Sequence, residues 1–328
     1  MARTCITAII ILLLSWIGSS NGNDDFIIAG YLPGYRSYIN VNNTARLLTD
    51  LILFSLEPDK LGALGGCCLE DSHYQLARDA RAHKKHFSNK ELKLWISIGG
   101  AGRSDAFSHI AAIKSSRATF IQNLISLCQK RDFDGIDLDW EQPSNKEEYE
   151  YYATLIVEAA EALHKHDLLL SVTSRQVFSQ AVVSAIDRIQ FMGYDWLFEG
   201  GPKHHAEYQV VTKIVDDYLH KYHYPSETIV LGIPAYARHK DRPTNVKTFA
   251  EMVDDGMDVR DSKGNWNGYM FDSLQMVTKK VDYAKKNELG GVFLWELGHD
   301  KQDGEAAPGG WVLEAVAARS ASGKNDEL

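Results

Sequence analysis

Short continuous apolar runs recur along this chain, separated by longer stretches in which apolar residues return at helical spacing. Phe26–Leu32, Asp50–Leu56, Leu92–Ile98, Gly135–Trp140, Leu168–Thr173, Arg188–Tyr194, Ile229–Pro234 and Gly291–Trp295 read as strands. Ala118–Arg131, Lys146–His164, Tyr208–Lys221 and Asp272–Lys286 read as amphipathic helices between them. Strands that are apolar on both faces and alternate with helices imply a parallel sheet covered on both sides. Eight such units in this length suit one (β/α)8, or TIM, barrel. A doubly wound open sheet would want a glycine-rich phosphate loop after the first strand. Gly30-Tyr-Leu-Pro-Gly34 does not supply one, because Pro33 interrupts any helix start there.

Chemistry in such barrels gathers where the strands end at their C-terminal side. The unusual residues obey that rule. Tyr31, Gly99-Gly100, Asp139 with Glu141, Tyr194-Asp195, Tyr236 with Arg238, and Trp295 all fall at or just beyond a predicted strand end. The densest of these segments is Asp134-Gly-Ile-Asp137-Leu-Asp139-Trp-Glu141. Strand alternation puts Asp137, Asp139 and Glu141 on one face and Ile136, Leu138 and Trp140 on the other. Three carboxylates this close and this buried cannot all ionise freely, so at least one pKa must rise. A carboxyl group kept protonated near neutral pH is what a general acid requires. Asp134 has the opposite parity and reads as structural. His83, His86, His204 and His205 lie in polar segments and read as solvated, and no metal or other cofactor is expected.

The chain has 328 residues, 45% of them apolar and 24% charged, which fits a globular protein with a sizeable core. A net charge of −9 without a basic run disfavours nucleic acid or an anionic membrane surface as a partner. Residues 1–22 have the layout of a cleaved secretory signal: Arg3, the apolar run around Ile9–Leu14, then Gly18-Ser19-Ser20. No other segment is apolar and long enough to span a bilayer. Residues 23–320 read as the barrel and 321–328 as a tail. Its end, Asn325-Asp-Glu-Leu328, is similar to an endoplasmic-reticulum retrieval signal with Asn in place of the basic residue. The expected location is the lumen of that compartment, with a retrieval receptor as partner; secretion is the alternative. Once Cys5 leaves with the signal, Cys67, Cys68 and Cys128 remain, with either one disulfide to Cys128 or three thiols. Asn42-Asn43-Thr44 is a glycosylation sequon.

Ser97-Ile-Gly99-Gly100 followed by the complete Asp-x-x-Asp-x-Asp-x-Glu segment resembles the signature pair of glycoside hydrolase family 18, the chitinase-like enzymes. Met192-Gly-Tyr194-Asp195, Leu231-Gly-Ile-Pro-Ala-Tyr236-Ala-Arg238 and Gly290-Gly-Val-Phe-Leu-Trp295 resemble three further segments of that family, in order along residues 26–300. The resemblance implies retaining hydrolysis of β-1,4-linked N-acetylglucosamine, in which the substrate's own acetamide is the nucleophile. It implies Glu141 as general acid, Asp139 as the partner of the acetamide N–H, Asp137 as its support, and Tyr194 as donor to the acetamide oxygen. It also implies Trp295 as the floor under the sugar, with Tyr31, Gly99, Gly100, Met192, Asp195, Tyr236 and Arg238 around the substrate. Many members insert a large α+β domain after the seventh strand. The stretch from Arg238 to Gly290 is too short for one, so a shallow, open cleft is expected; the chain is separately expected to be a monomer. Ala237 stands where the family usually has glycine, which weakens the reading of Arg238. Two alternatives remain open: an endo-β-N-acetylglucosaminidase acting on the chitobiose core of N-glycans, and a non-catalytic lectin.

Overall fold

The computed structural model describes residues 26–36, 40–65, 68–196, 204–260 and 263–322. The expected signal with Cys5, the retrieval-like tail end and Cys67 lie outside the described residues. Among those described, no helix is long and apolar enough to cross a membrane.

Eight parallel strands close on one another: Ile27–Pro33, Asp50–Pro58, Lys93–Gly99, Gly135–Asp139, Leu169–Ser174, Arg188–Phe191, Ile229–Pro234 and Gly291–Trp295. The first pairs with both the second and the eighth, so the sheet has no free edge. Helices follow the strands, the longest being Asp71–Ser88, Lys114–Arg131 and Lys146–His164. This is the (β/α)8 barrel expected from the alternation of apolar runs. Outward side chains such as Ile136, Leu138 and Ile189 are buried between strands and helices, where most of the core sits. Inward side chains form a second, smaller cluster that includes Tyr31, Phe54, Trp95, Tyr194 and Phe293.

The sixth strand stops at Phe191 rather than Tyr194. The chain leaves the ladder there, and Asp195 adopts a left-handed backbone with φ 59°. Helix Tyr208–Asp216 continues into a wider π turn over Asp217–Lys221. The final helix runs to Ala321, one residue past the expected end of the barrel.

No large domain follows the seventh strand. The stretch folds instead into a small four-stranded antiparallel sheet (Tyr236–His239, Arg242–Thr248, Asn265–Trp266, Tyr269–Met270) with one short helix, Phe249–Asp254. Asn267 and Gly268, both at positive φ, make the tight turn between its last two strands.

Cys128 is a buried free thiol, so of the two readings of the cysteines the disulfide to Cys128 is not the one formed; burial pushes its pKa up to about 12.

Candidate active site

Register across three strands builds the base of the site. Ser97 lies beside Asp137 and Asp137 beside Ser171, so three inward groups share one layer. Ser171 and Thr173 hydroxyls donate to Asp137 Oδ1 at 2.7 and 2.9 Å, and Ser97 and Tyr31 hydroxyls donate to Oδ2 at 2.9 and 3.0 Å. Burial raises the pKa of Asp137, and these hydroxyl bonds pull it back down.

One layer higher, Asp139 is equally buried but differently served. Its Oδ1 has no hydrogen-bond partner. Its pKa stands well above the usual carboxylate range, first through burial, then through the negative charges of Glu141 and Asp137, with Arg175 opposing. Glu141 is raised chiefly by burial and further by Asp195, while Arg175 and the Ala101 amide pull it down. Asp139 and Glu141 titrate as a pair, so both rise together.

The backbone between these two acids is clamped from both sides. Gly100 N–H donates to the Asp139 carbonyl at 2.7 Å, and Glu141 N–H donates to the Ser104 hydroxyl at 3.1 Å. On the outward face, Trp140 stacks on Phe107 at 5.5 Å and meets Tyr152 edge-on. The Tyr152 hydroxyl donates to the Leu138 carbonyl at 3.2 Å from a helix capped by Asn145.

A cavity of about 130 Å³ opens over this floor, lined by Tyr31, Asp139, Glu141, Thr173, Arg175, Met192, Tyr194, Asp195 and Trp295 among others. A second, of about 200 Å³, adjoins it and is bounded by Trp140, Glu141, Gln142, Ser174, Arg175 and Gln176. Glu141 faces both. Larger hollows of about 460 and 720 Å³ lie elsewhere on the surface, but neither brings two acids face to face over an aromatic floor. Chemistry, not volume, therefore selects the rim. Trp295 is held edge-on by Phe54 at 4.8 Å and by Tyr31 at 5.4 Å. Burial raises the pKa of Tyr194 well above 10, so it remains a neutral donor.

Several expected contacts take other roles. Gly99 and Gly100 do not line either cavity. Their φ values are 104° and 98°, and a Cβ would meet the Asp139 carbonyl and the Phe54 ring, each at 2.3 Å. They allow close approach of the backbone to the Asp139 carbonyl and the Phe54 ring. Tyr236 is buried behind Tyr194, with ring centroids 6.1 Å apart. Arg238 grips Asp195 with two hydrogen bonds of 2.5 and 2.6 Å instead of facing the cavity. His205 is not solvated: it is fully buried, 3.1 Å from Asp195 Oδ1 and 3.2 Å from the Tyr236 carbonyl. Burial would raise the pKa of Asp195, but the His205 and Arg238 hydrogen bonds and charges outweigh it and hold the group below the usual range. His204, half-buried, stacks on His205 and approaches the Phe271 carbonyl. Asp134 behaves as its parity suggests, accepting from Leu94 N–H at 2.6 Å and pairing with Arg81. Arg175 and Gln176 were not anticipated; their position just past the end of the fifth strand was the available signal.

A closed eight-stranded parallel barrel with paired acids at the C-terminal end of its fourth strand has the layout of a TIM-barrel enzyme site. Residues 27–300 match the family described as glycosyl hydrolases family 18, and the chain belongs to that family. A class V chitinase of Lotus japonicus is 28% identical over 266 residues, covering 63% of this chain and 66% of that protein, just under two thirds of its length. Among solved structures, a family 18 chitinase of Flavobacterium johnsoniae matches with TM-score 0.76 at 23% identity, covering 90% of this chain and 94% of its own. A mutant chitinase of Cycas revoluta, solved in complex with (GlcNAc)4, matches with TM-score 0.73 at 21% identity, covering 89% and 99%. At these identities the structural likeness carries the fold.

Proposed function

We propose that this chain hydrolyses β-1,4-linked N-acetylglucosamine oligomers or polymers with retention, using the substrate's acetamide as nucleophile. The observation that carries the reading is the unpartnered, buried Asp139 Oδ1 beside Glu141, in a cavity floored by Trp295. A pyranose face stacks on an indole, which offers a large rigid surface at little entropic cost. The acetamide of that sugar then sits over Asp139, with its N–H donating to the orphan oxygen. Tyr194 donates to the acetamide carbonyl and orients it toward the anomeric carbon. Glu141, its pKa raised chiefly by burial, gives its proton to the glycosidic oxygen as the acetamide oxygen attacks. The leaving sugar departs through the second cavity. Water, activated by the now anionic Glu141, opens the cyclic oxazolinium ion and restores the starting stereochemistry.

Asp137 acts as the fixed anchor of this chain of acids. Its oxygens are engaged by hydroxyls, so it does not need to turn for Asp139 to receive the substrate. The likeness to chitinases of Lotus japonicus and Flavobacterium johnsoniae supports a chitin-type substrate, and the (GlcNAc)4 bound to the Cycas revoluta chitinase supports oligomers at this rim. The small sheet after the seventh strand contributes no lining to either cavity, which favours an open groove and internal cleavage. The test is a product analysis on (GlcNAc)4 beside an intact N-glycoprotein. Release of short N-acetylglucosamine oligomers supports the reading. Glycan release with the oligomer untouched replaces it with action on the glycan core, and binding without cleavage of either replaces it with a lectin.

A further inference from the structure

Arg175 is the only cation among the described residues that line the two cavities, and it lines both. Its Nε is buried and has no hydrogen-bond partner. Several other buried or half-buried arginines are committed to carboxylates, among them Arg36 to Glu296, Arg117 to Glu158, Arg188 to Asp50 and Arg238 to Asp195, while Arg103 bonds the Ser55 hydroxyl. Arg175 closes no such pair although Asp139, Glu141 and Asp195 share its cavity; its guanidinium instead lies 5.8 Å from the Trp196 ring. Beside it, the side-chain Oε1 of Gln176 is also buried without a partner, while the Gln176 backbone is fully used by the Ser174 and Tyr218 hydroxyls. Both side chains line the second cavity, next to the acid that would protonate the leaving group. Buried polar groups left without partners are uncommon and ask for one.

The occupant's chemistry follows from the walls. Outside Glu141 and Arg175, the second cavity is bounded by neutral groups, with Gln142, Ser174 and Gln176 polar and Trp140 and Met192 apolar. Asp139, Glu141 and Asp195 face the same guanidinium across the first cavity, so an anionic ligand would meet acids as well as the cation. A neutral group rich in both acceptors and donors fits. We propose that Arg175 and Gln176 form the subsite that reads the departing sugar, Arg175 donating to its hydroxyl or acetamide oxygens and Gln176 accepting from a hydroxyl. This rests on the hydrolase reading above and adds a specificity to it: the enzyme selects a sugar, rather than an arbitrary leaving group, on the far side of Glu141. The Arg175 charge also lowers the pKa of Glu141, which supplies a second readout.

The test compares kcat/KM on (GlcNAc)4 and on 4-nitrophenyl di-N-acetylchitobioside, whose aryl leaving group offers no sugar hydroxyls. Arg175→Met is expected to lower oligomer cleavage about 10- to 100-fold, the size of a lost charge-assisted hydrogen bond. The aryl substrate should lose less than about threefold, and the basic limb of its pH profile should move upward as Glu141 holds its proton longer. Arg175→Lys keeps the charge but not the planar fork. It should lose oligomer cleavage with the basic limb unmoved. Gln176→Ala should lower the oligomer rate alone, and with Arg175→Lys it carries the test if Arg175→Met fails to fold. If the ratio of the two substrates stays at its wild-type value in these variants, the subsite is overturned. If the wild-type protein cleaves neither substrate, the hydrolase reading itself fails instead.

Discussion

At the N-terminal end of the barrel, Arg188 meets Asp50 at 2.7 Å, and Trp95 donates its indole N–H to the same carboxylate oxygen at 2.7 Å. The guanidinium lies 4.6 Å over the Trp95 ring. At the opposite end, Asp139, Glu141, Asp195 and Arg175 surround one cavity, yet Asp139 Oδ1 and Arg175 Nε have no partner. Both regions are inward-facing, both hold acids and an arginine, and both cost desolvation. In the lower one the charges spend their hydrogen bonds on each other, which closes the barrel. In the upper one the bonds are withheld, which leaves them for a ligand. Residue type does not separate a structural charge from a chemical one here; the state of its hydrogen bonds does. Asp195 lies between the extremes, facing the cavity while Arg238 and His205 hold it.

The largest expected effect breaks the upper set. Glu141→Gln should cut turnover about a hundred- to ten-thousandfold, the usual contribution of a positioned proton donor, while titration with (GlcNAc)4 still shows binding. Wild-type turnover in this variant would remove Glu141 from the chemistry. Breaking the lower set should do the reverse. Arg188→Met leaves Asp50 buried and unpaired, and urea denaturation should show a loss of about 3–5 kcal/mol, with kcat per folded molecule unchanged.

Asp139→Asn sharpens the contrast because activity and stability should move in opposite directions. Turnover should fall about tenfold or more, since the amide cannot serve the developing positive charge as a carboxylate does. Its effect on stability follows from the raised pKa of Asp139. The folded state binds the extra proton, so this group's contribution is full below the unfolded carboxylate pKa of about 4 and is lost as pH rises through the folded value. Asn carries no charge to desolvate. The variant should therefore match wild type in acid and exceed it near neutrality, by about 1 kcal/mol. Thermal denaturation at two pH values checks this, and a variant less stable than wild type at pH 7 would contradict it. The smallest effect belongs to Lys165→Met, which breaks an exposed pair with Glu161 of 2.8 Å. Neither Tm nor kcat/KM should move.

Much of this arrangement was readable from residue order. The strand candidates fall within a few residues of the observed strands because continuously apolar runs have no other stable place than a sheet covered on both faces. The alternation of Asp137, Asp139 and Glu141 was readable because strand parity is a backbone property. Hydrogen-bond state was not. That Asp137 is fully served by Ser97, Ser171, Thr173 and Tyr31, and Asp139 is not, depends on register among four strands. His205 read as solvated because its neighbours in sequence are polar, while its burial comes from Tyr236 across the rim. The small sheet after the seventh strand lacks an apolar rhythm, since Arg242–Thr248 is largely exposed. Arg175 belongs to no motif and shows its meaning only as a cation without a partner.

The account turns on the orphan oxygen of Asp139 receiving an acetamide that then attacks its own sugar. The direct measurement is the cleavage rate of (GlcNAc)4 against that of the same tetramer with every N-acetyl group removed. The account predicts rapid cleavage of the first and none of the second, even when the second binds. Equal rates would contradict it, because the withheld hydrogen bonds at the rim would then serve some other purpose.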